Sequence, residues 1–260
     1  MKSNRSLSLR LCVLFMLLGL AGCYQPVGAP QIVSAPSRPP TEFAVRRSAV
    51  GRSVESRPME CIVLGNGYDV TFILATIHGN EPAGTHLAER LAQYLQDHPD
   101  LLWGRKVVIL PVANPDGMAH GSRSNANGVD LNRNFATANR QDNAQNGFRA
   151  LSEPEARIIH QLIRQHSPDR IVSIHQPLTC IDYDGPADRL ASRMARSCDL
   201  PIRKIGAQPG SLGSYAGLTL RIPTITLELP ANAEQLDPES LWDRYGTALL
   251  TAVVYPDRAE

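Results

Sequence analysis

The stretch Val70-Thr71-Phe72-Ile73-Leu74-Ala75-Thr76-Ile77-His78-Gly79-Asn80-Glu81-Pro82 decides the fold. It opens as an apolar run rich in β-branched residues, the pattern of a buried strand. It closes on His78, a glycine that permits a turn, and a proline suited to the first turn of a helix. That helix is expected over residues 85–96, where Leu87, Leu91 and Leu95 recur at helical spacing before His98-Pro99 ends it. Further strands are expected over residues 61–64, 106–113, 170–175 and 224–229. Residues 106–113 are continuous enough in apolar character to be buried on both faces. Gly65-Asn66-Gly67-Tyr68-Asp69 separates the first two strands and reads as a hairpin or a close strand pair. Ser152-Glu153-Pro154-Glu155 opens another helix, with Ser152 as cap and Glu155 at the capping-box position. Ile158, Ile159, Leu162 and Ile163 supply its buried stripe, and residues 238–254 form a closing helix. Strands alternating with helices indicate an α/β domain.

The 260 residues are 43% hydrophobic and 20% charged, which suits a domain with a substantial core. Lys and Arg number 26 against 25 Asp and Glu, a net charge of +1. So even a balance argues against a nucleic-acid partner held by a global positive field. The charge is unevenly spread. Lys2, Arg5 and Arg10 precede residues 11–22, which carry none. That stretch is short for a bilayer span and suits the apolar part of a signal peptide. It ends Leu20-Ala21-Gly22-Cys23, which resembles the lipobox of bacterial lipoproteins, with Cys23 receiving the lipid. The alternative is an ordinary secretory signal in which Cys23 is incidental. Tyr24 stands where an inner-membrane retention signal commonly carries Asp, which favours the outer membrane. The expected location is therefore the cell envelope, as a periplasm-facing lipoprotein touching the membrane only through its lipid. Loss of residues 1–22 leaves 23 basic and 25 acidic side chains.

Residues 23–58 hold Pro26, Pro30, Pro36, Pro39, Pro40 and Pro58 and no lasting apolar period. They read as a tether, with the folded domain over residues 59–260. Residues 41–57 read alternatively as a divergent first strand. Cys61, Cys180 and Cys198 allow at most one disulfide; Cys180 with Cys198 and three free thiols both stay open. The sequence leaves the oligomeric state open.

Chemistry gathers at strand ends. His78 and Glu81 stand three residues apart across a tight turn, so imidazole and carboxylate can converge on one cation. Taken alone, this spacing is far more often a pair of surface residues. His175 ends a later strand, and two histidines with one carboxylate form a catalytic zinc set that keeps an open fourth position. Such ligands bind other divalent ions as well. Asn114-Pro115-Asp116-Gly117 follows a strand, and Arg123 comes shortly after. Asn127-Gly128-Val129-Asp130-Leu131-Asn132-Arg133-Asn134-Phe135 is then unusually rich in donors, with Arg133 able to take an anionic group in a bidentate grip. Internal bonding within an Asn-rich loop is the alternative for Asn125, Asn134 and Asn139. Glu228 interrupts the buried-looking run Thr224-Ile225-Thr226-Leu227-Glu228-Leu229-Pro230. A buried carboxylate is costly unless paired, hydrogen-bonded or near a metal. Here it suits a general base; the alternative is the exposed face of an edge strand.

These ordered motifs together resemble the zinc carboxypeptidase (metallocarboxypeptidase) family, from about residue 70 to 230. Within it the look is nearest to murein peptide amidases, through residues 124–135, Ser152-Glu153-Pro154-Glu155, His175-Gln176-Pro177-Leu178-Thr179-Cys180 and residues 209–214. The resemblance implies an α/β fold: a mixed, mostly parallel twisted sheet sandwiched between helices, with the zinc site at the strand ends. It implies His78, Glu81 and His175 as ligands of one Zn2+ ion. Arg123 matches the residue that polarises the scissile carbonyl and stabilises the oxyanion. Asn132 and Arg133 match the pair that grips a substrate carboxylate, and Glu228 matches the general base. The implied reaction is hydrolysis of the γ-D-glutamyl–meso-diaminopimelate amide in peptidoglycan-derived peptides.

Two departures stand out. The digestive members carry a mobile tyrosine over the substrate; Gly206 lies near that point, and Tyr215 does not fit the pattern. Gln176 stands where a related amidase carries an acidic residue, a change beside a ligand that bears on its orientation. Three other readings compete: a general periplasmic metallocarboxypeptidase releasing C-terminal amino acids, an aspartoacylase- or desuccinylase-like deacylase, and an inactive peptidoglycan-binding lipoprotein.

Overall fold

The computed structural model describes residues 45–256. Its strands are β1 (Val45–Arg52), β2 (Pro58–Gly65), β3 (Asp69–Ala75), β4 (Arg105–Leu110), β5 (Arg170–His175), β6 (Leu178–Asp184) and β7 (Thr224–Pro230). They form one sheet in the order β1-β2-β4-β3-β5-β7-β6. The central strands β4, β3, β5 and β7 run parallel. The flanks are antiparallel: β1 on β2, β2 on β4, and β6 on β7. The helices are α1 (Ala83–Asp97), α2 (Pro115–His120), α3 (Pro154–His166), α4 (Asp188–Ala195) and α5 (Pro238–Val254). This is the mixed, helix-covered sheet that the alternation of elements predicts.

Each face of the sheet closes its own core. On one face Ile73, Val172, Ile174, Ile225 and Leu227 pack with Leu87 and Leu91 of α1, Met194 of α4 and Leu249 of α5. On the other, Phe72, Leu74, Val108 and Leu110 meet Ile159 and Leu162 of α3, with Leu131, Phe135 and Tyr215. Successive residues of a strand point to opposite faces, so a strand buried on both reads as one continuous apolar run.

Three expectations need correction. Residues 45–58 are not tether: β1 pairs along β2 and belongs to the sheet. β1 is an edge strand, mostly exposed, and its register shifts between Ala49 and Gly51, so no apolar alternation marks it. The rest of that segment, Cys23 and the leader lie outside the described residues.

Next, β2 and β3 are not a hairpin, because β4 lies between them. The link crosses the start of β4, with Gly67 N–H donating to the Arg105 carbonyl (3.0 Å) and Asp69 N–H to the Gly104 carbonyl (3.3 Å). A Cβ on Gly67 would sit 1.9 Å from the Gly104 carbonyl carbon, so only glycine makes this crossing.

The capping box is not formed either. Glu153 is the N-cap of α3, without a side-chain cap bond. Glu155 is instead fully buried, accepting from Val54 N–H (3.1 Å) and Asn125 Nδ2 (3.1 Å). Its carboxylate ties the β1–β2 connection to the Asn-rich loop, a tertiary contact that overrides the local one. Cys61, Cys180 and Cys198 are free thiols.

Candidate active site

The sheet brings the separated motifs together. β3 ends two residues before Ile77, and the chain turns through His78 to Glu81 into α1. Gly79 lies against the backbone of α2, where an added Cβ would come within 2.0 Å of the Gly117 carbonyl carbon. β5 lies beside β3 and ends on His175. β7 lies beside β5, with His175 directly opposite Glu228. All four side chains are buried: His78 is 2% exposed, Glu81 6%, His175 3% and Glu228 7%.

One ligand atom from each of His78, Glu81 and His175 lies within 4.8 Å of the others. The Glu81 carboxylate stands between the rings, with Oε1 2.9 Å from His78 Nδ1 and Oε2 2.9 Å from His175 Nδ1. Asp130 Oδ1 lies 3.1 Å from His78 Nε2. If that carboxylate takes the Nε2 proton, His78 Nδ1 turns a lone pair toward Glu81. Two acceptors then face each other, and a proton or a cation must lie between them. Buried histidine and carboxylate ligands with the outer nitrogen fixed by a second carboxylate are the donor set zinc favours. The residues fit the metal.

The same contacts shift the ionisable groups. Burial alone would raise the Glu81 carboxyl, but hydrogen bonds from His175 and His78 outweigh it and hold its pKa well below the usual carboxylate range. Burial would lower the His78 imidazole, yet Asp130 and Glu81 raise it. Asp130 is depressed in the same way, burial being overcome by His78 and Arg123. Glu228 goes the other way: burial raises its carboxyl. One of its oxygens accepts from Leu178 N–H (3.3 Å).

The arginines border the same cavity, which has a volume of about 210 Å³. Arg123 donates from Nη1 to Glu81 Oε1 (3.2 Å) and from Nε to Asp130 Oδ2 (3.1 Å), and its side chain stays 43% exposed. Arg133 and Asn132 also line it. Asn132 Oδ1 accepts from Leu212 N–H (2.8 Å), which turns Asn132 toward the loop before residues 213–219. Asn125, Asn134 and Asn139 are bonded internally: to Glu153 (2.8 Å), to Ser152 Oγ (2.9 Å) and to Ser214 Oγ (3.0 Å). The donor-rich run thus divides into scaffold asparagines and cavity residues. Gln176 N–H donates to Glu81 Oε2 (3.1 Å), and its Oε1 accepts from Ala83 N–H (3.1 Å). Tyr215 is buried away from the cavity, its hydroxyl 2.8 Å from His160 Nδ1. Among the described residues no tyrosine lines the cavity; Gly206 does.

Sequence reasoning missed three acids. Asp130 was legible as part of a motif but had no assigned role. Asp182 and Asp184 lie on β6 and reach the cavity floor. The alternation Cys180-Ile181-Asp182-Tyr183-Asp184 is the signal that would have found them.

A buried two-histidine, one-carboxylate cluster beside a buried glutamate and two arginines defines a metal-dependent hydrolase of amide bonds. The pattern of the zinc carboxypeptidases matches residues 41–189, and the chain belongs to that family. Murein peptide amidase A of Escherichia coli (strain K12) is 35% identical over 176 residues, 61% of this chain and 70% of that protein. Murein peptide amidase A of Vibrio campbellii is 30% identical over 224 residues, 78% of this chain and 87% of that one. The crystal structure of murein-tripeptide amidase from Escherichia coli O157 superposes with a TM-score of 0.63 at 27% identity, covering 83% of this chain and 95% of that one. Carboxypeptidase A from Helicoverpa armigera shares the fold, with a TM-score of 0.68 at 22% identity over 82% of this chain and 70% of its own.

Proposed function

We propose that this chain is a zinc murein peptide amidase that hydrolyses the γ-D-glutamyl–meso-diaminopimelate amide of cell-wall peptides. The observation that carries the reading is the convergence of His78, Glu81 and His175 beside Glu228 in one cavity with Arg123 and Arg133. Relatives that match most of the chain and are named for murein peptides support the substrate class.

His78, Glu81 and His175 would hold the zinc. Bound there, zinc supplies Lewis-acid polarisation of a carbonyl and lowers the pKa of water toward neutrality. Glu228 takes a proton from the attacking water as the C–O bond forms, and returns it to the leaving amine as the C–N bond then breaks. Arg123 donates to the carbonyl oxygen as negative charge develops on it. Asn132, whose Nδ2 remains as a donor, and Arg133 hold the carboxylate of the leaving amino acid. Asp130 acts through His78 and Arg123, fixing the orientation of both.

We propose further that the enzyme is a lipoprotein of the cell envelope, with residues 1–22 removed and Cys23 lipidated. The positive start, the uncharged run and Leu20-Ala21-Gly22-Cys23 support it. The remaining segment before β1 would tether the domain. Labelling cells with a palmitate analogue should mark the wild type and not Cys23→Ala; equal labelling would reject the anchor.

The direct test of activity is mass analysis of products from γ-D-Glu–meso-diaminopimelate peptides. Release of free diaminopimelate, stopped by a chelator and restored by zinc, is expected. Release only of C-terminal L-amino acids from ordinary peptides would favour a general carboxypeptidase instead.

A further inference from the structure

The cavity has a closed end and an open one, and the register of β5, β7 and β6 sets them out. His175, Glu228 and Cys180 stand side by side. Thr224 and Asp184 lie four residues deeper, both buried. Leu178 and Pro230 lie two residues the other way, at the mouth. At about 3.3 Å per residue, the mouth is roughly 7 Å along the strands from the catalytic row. Leu178 is 45% exposed there, and its N–H donates to Glu228 Oε2 (3.3 Å), which ties the mouth to the general base.

Residues 201–205 run alongside β6 at the edge of the sheet. Ile181 N–H donates to the Pro201 carbonyl (2.9 Å) and Arg203 N–H to the Ile181 carbonyl (3.0 Å), with Ile202 level with Ile181 in a parallel bridge. Ile181 packs in the apolar core on the far face, so alternation sends Arg203 and Ile205 to the cavity face. Ile205 lines the cavity. Arg203 stands exposed at its rim, with Nη1 donating to the Leu178 carbonyl (3.3 Å). Among the described residues the guanidinium makes that hydrogen bond alone and no ion pair. Its charge is felt at Cys180, beside Glu228, where it opposes the rise that burial gives the thiol. The neighbouring cation is engaged elsewhere: Lys204 donates to the Tyr183 carbonyl and lies over the Tyr183 ring, 3.8 Å from its centroid.

We infer that Arg203 forms an anion-receiving subsite on the acyl side of the scissile bond, taking a carboxylate carried by the residue whose carbonyl is attacked. The inference rests on the proposed amide hydrolysis and names a group on the half of the substrate that stays behind. The leaving amino acid occupies the closed part of the cavity, held by Asn132 and Arg133, so the rest of the chain exits through the mouth past Leu178. In a γ-linked glutamyl residue the free carboxylate carbon is four bonds from the scissile carbon, roughly 5 Å when extended. That reach carries it from the Glu228 row toward the Leu178 carbonyl. There the guanidinium is held by one nitrogen and presents its other donors, a fork that matches a carboxylate. An apolar residue in the same place offers the arginine nothing, so the subsite favours glutamyl substrates over ordinary peptides.

The test uses zinc-loaded protein and two peptides: γ-D-Glu–meso-diaminopimelate, and the same peptide with the α-carboxylate of its glutamyl residue changed to a carboxamide. The carboxamide keeps the shape and removes the charge. Its kcat/KM is expected to be roughly 5- to 20-fold lower, between the worth of an exposed ion pair and that of a hydrogen bond to a charged group. Arg203→Gln should bring the two peptides close to parity; a purely structural loss would lower both alike and leave their ratio unchanged. Calorimetry on zinc-loaded Glu228→Gln protein, with and without Arg203→Gln, reads the same ratio in Kd without turnover. If neither peptide is cleaved by the wild type but the carboxylate form binds more tightly and only when Arg203 is present, the amidase reading fails and the subsite stands. Binding of neither peptide would overturn both. Equal binding and equal turnover of the two peptides with Arg203 in place would overturn the subsite alone, as would a ratio that Arg203→Gln leaves unchanged in folded protein.

Discussion

The two faces of β5, β7 and β6 carry opposite chemistry on the same backbone. Val172, Ile174, Ile225, Leu227, Leu229 and Ile181 point one way, fully buried in the apolar core that α1, α4 and α5 cover. Ser173, His175, Thr224, Glu228, Asp182 and Asp184 point the other way, buried as well, into the cavity, with Thr226 half-buried among them. The difference is one residue of register. A buried polar face gains nothing from removing apolar surface from water and must satisfy each group by a bond, a metal or a ligand. The apolar face supplies the stability that holds the polar one in place. A substitution on either face breaks one side of that division and shows whether the other responds.

The largest effect falls on the polar face. Glu228→Gln is expected to lower kcat by about 10²- to 10⁴-fold, the usual worth of a positioned general base. Zinc content by metal analysis and the melting temperature should stay near those of the wild type. Full activity in a zinc-loaded variant would remove Glu228 from the reaction. Its immediate neighbour tests the other side. Leu227→Ala deletes a fully buried side chain from the apolar face and should cost about 2–5 kcal/mol of stability. Well below its melting temperature, kcat/KM should stay within a few-fold of the wild type. A loss as large as that of Glu228→Gln would mean that the two faces are not separable.

Much of this division was legible in the sequence. Ile225, Leu227 and Leu229 alternating with Thr224, Thr226 and Glu228 announce a strand with one chemical face, and Glu228 stood out because its run was otherwise apolar. His78, Glu81 and His175 were legible because turn chemistry and strand ends bracket them. The sequence hid what depends on strand order. Residues 65–69 look like a hairpin turn, and only the insertion of β4 makes them a crossing. β1 is exposed and bulged, so hydrophobic pattern was silent there. β6 was missed because its acids look like solvent-facing residues until β7 packs beside them and the chain of residues 205–213 covers the cavity. Asp130 sits 52 residues from His78, a separation no local pattern reveals.

A smaller effect probes the support behind the ligands. Asp130→Asn keeps the shape but loses the charge beside His78 Nε2 and Arg123 Nε. Zinc affinity, or activity at limiting zinc, should fall about 10- to 100-fold. Competition against a chromogenic chelator measures it, and excess zinc should recover part of the activity. An affinity equal to the wild type's would show that His78 needs no such partner.

The smallest effect concerns the cost of the polar face itself. Burial, helped by the neighbouring Asp182, raises the Asp184 carboxyl above its ordinary value. A group whose folded pKa exceeds its unfolded one stabilises most below the unfolded value, about 3.9 for Asp. That contribution is lost as pH rises through the folded value. At neutral pH the ionised side chain therefore opposes folding. Asp184→Asn, which does not titrate, should melt higher than the wild type at pH 7, by a gain on the order of 2–4 °C. The gap should close as pH falls toward 4. A variant that melts lower at pH 7 would show that Asp184 earns its burial structurally, within the apparatus of the fold rather than at the service of a ligand.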